Sequence, residues 1–308
     1  MRPYPISREF APYDRFTPPI RSAGMAGRMG ALMKPPGWLW KDPDLRVRRE
    51  TVPGYREEPV EVLVLEPRAG AAENCLVYFH GGGFFFEGAG YHYLNAKRYV
   101  LETPCKLLFV QYHLAPRHPF PWPTEDCYRA LLWAWDRAGT LGVRRDRIIL
   151  GGDSAGGCLA AAVAQLCRDR GTEVTTWGQL LIYPFLDRRL DSPSNLEFTD
   201  TPMWNSRLSR LMLAGYLPDP DVENVVYASP MEGSCADLPP AYIETAEFDS
   251  LRDDGLRYAA KLRAAGVAVR LNETRGTMHG FDIAQKAPTT HAALDARIAW
   301  LRQRFREA

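Results

Sequence analysis

The 308-residue sequence has no block of like charge, no internal repeat, no low-complexity tract and no Cys-x-x-Cys pair. Its 38 Lys and Arg residues stand against 37 Asp and Glu, a formal net charge of +1. Without a basic stripe there is no electrostatic footprint for nucleic acid or for an anionic membrane, so neither is expected as a partner. The glycine-rich "GGDSAGG" lacks G-x-G-x-x-G, and G-x-x-x-x-G-K-[ST] is absent, so a dinucleotide or nucleotide-phosphate cradle is not expected. The six histidines never fall into H-E-x-x-H or a similar ligand spacing. No metal or organic cofactor is therefore expected. The longest weakly polar run, 158–167, is too short to cross about 30 Å of hydrocarbon. The opening "MRPYPISREFAPYDRF" carries charge and prolines but no apolar core of a secretory signal. The six scattered cysteines read as buried free thiols. Together these features lead to the expectation of a cytoplasmic protein, with a homodimer left open.

What is present is ordinary globular material: 46% hydrophobic and 24% charged residues. The length allows two domains or one enlarged α/β domain. The first forty residues are irregular. "SAGMAGRMGALM" is expected to form one or two helices, stopped by "KPPGW". "LRVRRETVPGYREEPVEVLVLEP" reads as two strands joined across Pro53-Gly54. Strands then alternate with helices. Strands are expected at 75–79, 107–112, 147–150, 178–184, 241–246 and 267–273. Helices are expected at 91–101, from Thr124 as N-cap, at 155–168, 206–216 and 251–265, with a last one at 289–305. Alternation of this kind implies a mostly parallel sheet covered on both faces. The N-terminus and residues 186–229 interrupt the rhythm and look like additions to that sheet.

Ser154 falls where the strand "RIIL" must turn into a helix, with Gly152 and Gly156 two residues to either side. This is G-x-S-x-G, a turn whose tightness excludes Cβ atoms and which holds the hydroxyl out at the sheet edge. A serine hydroxyl needs a base. His279, in "RGTMHGF", lies on a glycine-flanked loop after a late strand. Chain order asks for an acid between the two. "EFDSLRDDG" offers Asp249 at the end of strand "AYIETA", with Asp253 as the second choice. Asp253 and Asp254 belong to the first turn of the next helix, where acids are favourable for dipole reasons alone. "YFHGGGFFFEG" places three glycines straight after a strand, and their N–H groups could converge on a developing oxyanion together with that of Ala155. His80 is expected to be structural.

"HGGGF", "YHLAPRHPFPWPTED", "GDSAGG", "EFDSLRDDG" and "TMHGF" occur in the order seen in the hormone-sensitive-lipase-like esterases, the bacterial family IV carboxylesterases. From about Leu45 to the C-terminus the chain resembles that family. The resemblance implies an α/β-hydrolase fold with a mostly parallel central sheet and helices on both faces. It implies Ser154 as nucleophile, Asp249 as acid, His279 as base, and Gly81, Gly82 and Ala155 as the oxyanion hole. It also implies a helical cap from residues 1–44 and 186–229, over a catalytic core of 45–185 and 230–308. The chain departs from the family at His113 and Arg117, where the charged positions of YRLAPE stand. It departs again at Ser250, where proline follows the acid.

The chemistry expected is hydrolysis of a small-molecule ester through an acyl-enzyme. The resemblance implies short-to-medium acyl chains. Phe84, Phe85 and Phe86 directly follow the glycines, and Trp38, Trp40 and Trp204 fall in the expected cap. Phe84–Phe86 and Trp204 are the expected pocket residues. A serine peptidase or amidase would use the same triad, but no added propeller or peptide-binding domain is visible. A non-catalytic receptor on the same fold would lack the triad histidine, which this chain keeps.

Overall fold

The computed structural model describes residues 4–11, 13–32, 37–69 and 73–307. Eight strands form one sheet: β1 (Leu45–Pro53), β2 (Pro59–Pro67), β3 (Asn74–Phe79), β4 (Cys105–Gln111), β5 (Ile148–Asp153), β6 (Gly178–Ile182), β7 (Ala241–Phe248) and β8 (Val269–Met278). Their spatial order is β1-β2-β4-β3-β5-β6-β7-β8. β1 and β2 form the expected hairpin, closed where the Gly54 N–H donates to the Glu58 carbonyl at 2.8 Å. β2 is antiparallel to β4, and every later pairing is parallel. Parallel strands covered on both faces read as unbroken apolar runs. All six residues of β5 and all five of β6 are buried.

The helices are α1 (Ala23–Leu32), α2 (Gly90–Glu102), α3 (Trp122–Asp136), α4 (Ala138–Leu141), α5 (Ala155–Asp169), α6 (Pro193–Glu197), α7 (Ser206–Tyr216), α8 (Arg252–Ala264) and α9 (Pro288–Arg306). Because successive strand side chains point to opposite faces, β2 and β4 feed two cores. Val62, Val64, Leu108 and Val110 pack with α3, α5 and α8. Leu63, Leu65, Leu107 and Phe109 pack with α2 and α9.

One sequence expectation fails here. Thr124 does not cap α3, which starts earlier, at Trp122, behind Pro121 and with Pro123 in its first turn. Proline suits that turn because the first N–H groups of a helix have no intrahelical partner. Thr124 is thereby carried inside the helix, and its hydroxyl lies 3.2 Å from that of Tyr216. The cap of α7 is a side chain, Asn205, which accepts from the Leu208 N–H at 3.2 Å.

Two segments lie outside the strand–helix alternation. α1 packs against α7, where Gly215 abuts Ala23 and the Phe85 ring. The preceding residues run back along the sheet, with Ser7 N–H donating to the Gly276 carbonyl at 2.9 Å and Phe10 edge-on to Phe281. The proline stop expected after α1 lies partly outside the described residues. All six cysteines are free and buried. Among the described residues no helix is long and apolar enough to cross a membrane.

Candidate active site

Ser154 stands between β5 and α5 with φ +54° and ψ −117°, a conformation a non-glycine residue rarely holds. The turn is locked from both sides. A Cβ on Gly156 would sit 1.9 Å from the Phe79 carbonyl oxygen, and one on Gly152 would sit 2.3 Å from that of Gly156. Only glycine fits at either position. The Ser154 N–H donates to the Ile182 carbonyl at 2.9 Å, which ties the turn to β6.

The loops after β7 and β8 bring the other two groups to this point. Ser154 Oγ lies 2.8 Å from His279 Nε2, and His279 Nδ1 lies 2.7 Å from Asp249 Oδ2. As a carboxylate Asp249 only accepts, so Nδ1 carries the ring proton and Nε2 is left to accept from the hydroxyl. Asp249 Oδ1 accepts from the Leu251 N–H at 2.9 Å, which fixes the carboxylate plane. Asp249 is fully buried, while Ser154 and His279 keep 7% and 6% of their surface. Such a chain can move a proton from hydroxyl to imidazole while the carboxylate stabilises the resulting cation. Asp253 is elsewhere: it accepts from the Ser194 N–H at 2.9 Å and from Arg252 Nε at 2.8 Å.

The glycine loop requires a correction. The Gly81 N–H donates to Asp153 Oδ1 at 3.1 Å and so is not offered to a substrate. Asp153 was not singled out from sequence. It is buried, and it also accepts from Tyr78 Oη at 2.8 Å and pairs with His92 Nε2 at 2.9 Å. Since His92 Nδ1 accepts from the Ala89 N–H at 2.7 Å, its proton is on Nε2 and is donated to Asp153. A carboxylate beside the nucleophile in "GDSAG" was the available signal, because a buried acid must find donors. Among the described residues no group accepts from the N–H of Gly82 or Gly83. Ala155, first in α5, has no intrahelical acceptor. Gly83 and Ala155 line one small cavity together with Ser154.

His80 is structural, as expected. It stacks on Tyr112 with centroids 4.5 Å apart, and burial pushes its pKa down to about 4. His113 pairs with Asp126 at 2.7 Å, and that hydrogen bond raises its pKa. This pair braces the "YHLAPRHP" segment where the family carries arginine.

Of the expected aromatic wall, Phe84 and Trp204 line a small cavity beside Ser154, and Phe85 and Phe86 do not. Phe85 and Phe86 both donate their N–H to the Gly82 carbonyl, so the segment coils. In a helical turn successive side chains rotate by about 100°, and three in a row cannot face one cavity. Phe85 instead packs against α1 and α7 and borders an open groove. Trp38 is exposed, and Trp40 packs edge-on against Tyr93.

Beneath the imidazole lies a second unread group. Tyr183, at φ +33°, sets its ring edge-on to His279 at 4.9 Å and donates its hydroxyl to Asp282 at 2.6 Å. Asp282 also accepts from Asn95 at 3.0 Å and from Arg297 Nη1 at 2.9 Å. Arg297, fully buried, grips Glu244 as well. No periodicity marks such a network, because its five members come from five separate segments. Among the described residues no cluster of three or more His, Cys, Asp or Glu is placed to hold a metal ion.

Known proteins resemble this chain along most of its length. Residues 76–283 match the family described as alpha/beta hydrolase fold. The carboxylesterase NlhH of Mycobacterium tuberculosis is 36% identical over 283 residues, covering 90% of this chain and 87% of that protein. An arylesterase of Saccharolobus solfataricus is 29% identical, covering 78% of each. Among solved structures, a bacterial heroin esterase superposes with a TM-score of 0.85 at 31% identity, over 97% of this chain and 98% of that one. The chain belongs to the hormone-sensitive-lipase-like carboxylesterases of the α/β-hydrolase fold.

Proposed function

We propose that this carboxylic ester hydrolase works through an acyl-enzyme formed on Ser154. His279 Nε2 takes the hydroxyl proton as Oγ attacks the ester carbonyl carbon, and Asp249 stabilises the imidazolium. The carbonyl oxygen becomes an oxyanion held by the N–H groups of Gly82, Gly83 and Ala155. Removing one such donor typically raises the barrier by about 3 kcal/mol. The intermediate collapses, the C–O bond to the alcohol breaks, and His279 returns its proton to the leaving oxygen. Water, deprotonated by His279, then attacks the acyl carbonyl and releases the acid. The observation that carries this reading is the unbroken chain Ser154–His279–Asp249 at 2.8 and 2.7 Å.

The substrate class is small esters of short-to-medium acyl chains. Residues 1–44 and 186–229 act as the cap over a catalytic core of 45–185 and 230–308. The contact of α1 with α7 and the position of Trp204 over the site support that division. Six free, buried thiols fit a reducing compartment, which supports a cytoplasmic site of action. Ser154→Ala tests the reading. The purified variant should keep its circular dichroism and lose on the order of 10³-fold or more of its activity on p-nitrophenyl acetate, the scale of loss expected for a triad member. Full activity in the folded variant removes Ser154 as nucleophile. Cleavage of an aminoacyl anilide faster than of the acetate would move the chain to the peptidases.

A further inference from the structure

The cavity beside Ser154 has about 20 Å³ of room, and Phe84, Phe185, Trp204, Met212 and Leu251 are among its walls. A single water needs roughly 10–15 Å³ measured this way. The space therefore takes one methyl-sized group, and not a chain of several carbons.

Which part of an ester enters it follows from the chemistry. The carbonyl carbon must lie at Ser154 Oγ and the carbonyl oxygen at the glycine and Ala155 amides. The leaving oxygen must lie at His279 Nε2, which returns a proton to it. His279 is not among the residues lining the cavity, whereas Gly83, Ser154 and Ala155 are. The substituent that faces the cavity is thus the acyl group.

Trp204 closes this space, and it is held at both ends. Its Cη2 lies 2.6 Å from where a Cβ on Gly83 would be, so the indole rests directly on the backbone of the glycine loop. The Met212 Cε lies 3.5 Å from the same point. Indole Nε1 donates to Ser209 Oγ at 2.8 Å, and Ser209 is buried on α7. The Trp204 N–H donates to the Pro202 carbonyl at 2.8 Å, and its own carbonyl accepts from Thr201 Oγ1 at 2.8 Å. Swinging the ring aside would take the indole N–H from the buried Ser209 hydroxyl.

Resting on the serine carboxylesterase reading above, we propose that this cavity is the acyl pocket. Trp204, pinned by Ser209, limits it to acetyl, so the preferred substrates are acetate esters whose alcohol part lies outside the pocket.

The test compares kcat/KM on p-nitrophenyl acetate, butyrate and hexanoate for the wild type, Trp204→Ala and Ser209→Ala. One methylene too many in such a pocket is worth about 10- to 200-fold. The wild type should therefore favour acetate over butyrate by at least about tenfold. Trp204→Ala should raise the butyrate-to-acetate ratio about tenfold or more, and Ser209→Ala should raise it by less. Selectivity among phenyl, naphthyl and ethyl acetates should stay as in the wild type. A wild type that takes hexanoate as readily as acetate overturns the proposal. So does an unchanged acyl ratio in Trp204→Ala, or in Ser209→Ala should the first variant not fold. A change in alcohol selectivity alone assigns the cavity to the wrong side of the ester and also overturns it. A folded wild type inactive on every ester would instead sink the esterase reading beneath it.

Discussion

Asp249 and Asp253 are four residues apart, one in the loop after β7 and the other in the first turn of α8, yet only one reaches the imidazole. Asp249 meets His279 Nδ1 at 2.7 Å, while Asp253 is taken up by the Ser194 N–H and by Arg252. Asp249→Asn would present an amide where Nδ1–H needs an acceptor and would favour the wrong tautomer. Turnover on p-nitrophenyl acetate should fall by on the order of 10³- to 10⁴-fold. Asp253→Asn keeps an oxygen for Ser194 and should lose only a few-fold. The reverse order in a kcat comparison would move the acid to Asp253. The glycine loop shows how fine a residue-level reading must be. The motif "HGGG" announces a donor loop, but which N–H groups serve depends on Asp153 capturing the first of them. That capture is a contact between residues 72 positions apart. Local sequence does not encode it.

At the scale of elements, Asp254 in the first turn of α8 suggested nothing more than favourable dipole interaction. Asp254 turns out to be wholly buried, where Asn195 Nδ2 reaches it at 3.1 Å. Burial pushes its carboxyl from an ordinary 3.8 up to about 7, against the opposing pull of hydrogen bonds from Ser192 and Asn195. The folded state therefore holds this proton more tightly than the unfolded chain does. Its contribution to stability is complete below about pH 4, declines as the pH rises from 3.8 to about 7, and is flat beyond. Asp254→Asn should remove that decline. Urea midpoints of variant and wild type should nearly coincide near pH 4. They should separate in favour of the variant by pH 8, by up to about 4 kcal/mol for a three-unit shift. A variant less stable than the wild type at pH 8 would mean that Asp254 is ionised and paired. The turn from β5 to α5 is the opposite case. Gly152, Ser154 and Gly156 lie within five residues of one another, and their spacing alone described the element correctly, because a sharp strand-to-helix turn needs glycine at those offsets whichever strand crowds it.

Across the whole molecule, the sheet sets distant loops at one edge, and the two cores hold that edge rigid. Arg297 on α9 links Glu244 on β7 to Asp282 in the loop beyond His279, with Tyr183 bridging Asp282 to the imidazole. All of the charges in this network are buried. Deleting one partner leaves the others desolvated and unpaired. Arg297→Met should lower the urea-unfolding free energy by about 3–5 kcal/mol. An unchanged midpoint would show that water reaches Glu244 and Asp282 when the arginine is gone.

Sequence by itself determined the alternation of strands and helices, the β5–α5 turn, and the identity of the serine, histidine and acid that come together. Each of these is written in short-range signals: apolar runs, glycines at fixed offsets, and a side chain at the end of a strand. The tertiary structure alone decided which glycine amides stay open, that Phe84 and not its two neighbours faces the site, and that Asp254 and Arg297 are buried. It also decided that Trp204 lines the space beside Ser154. Those outcomes depend on packing between segments far apart in the chain, where one side chain's position is fixed by neighbours that no local pattern specifies.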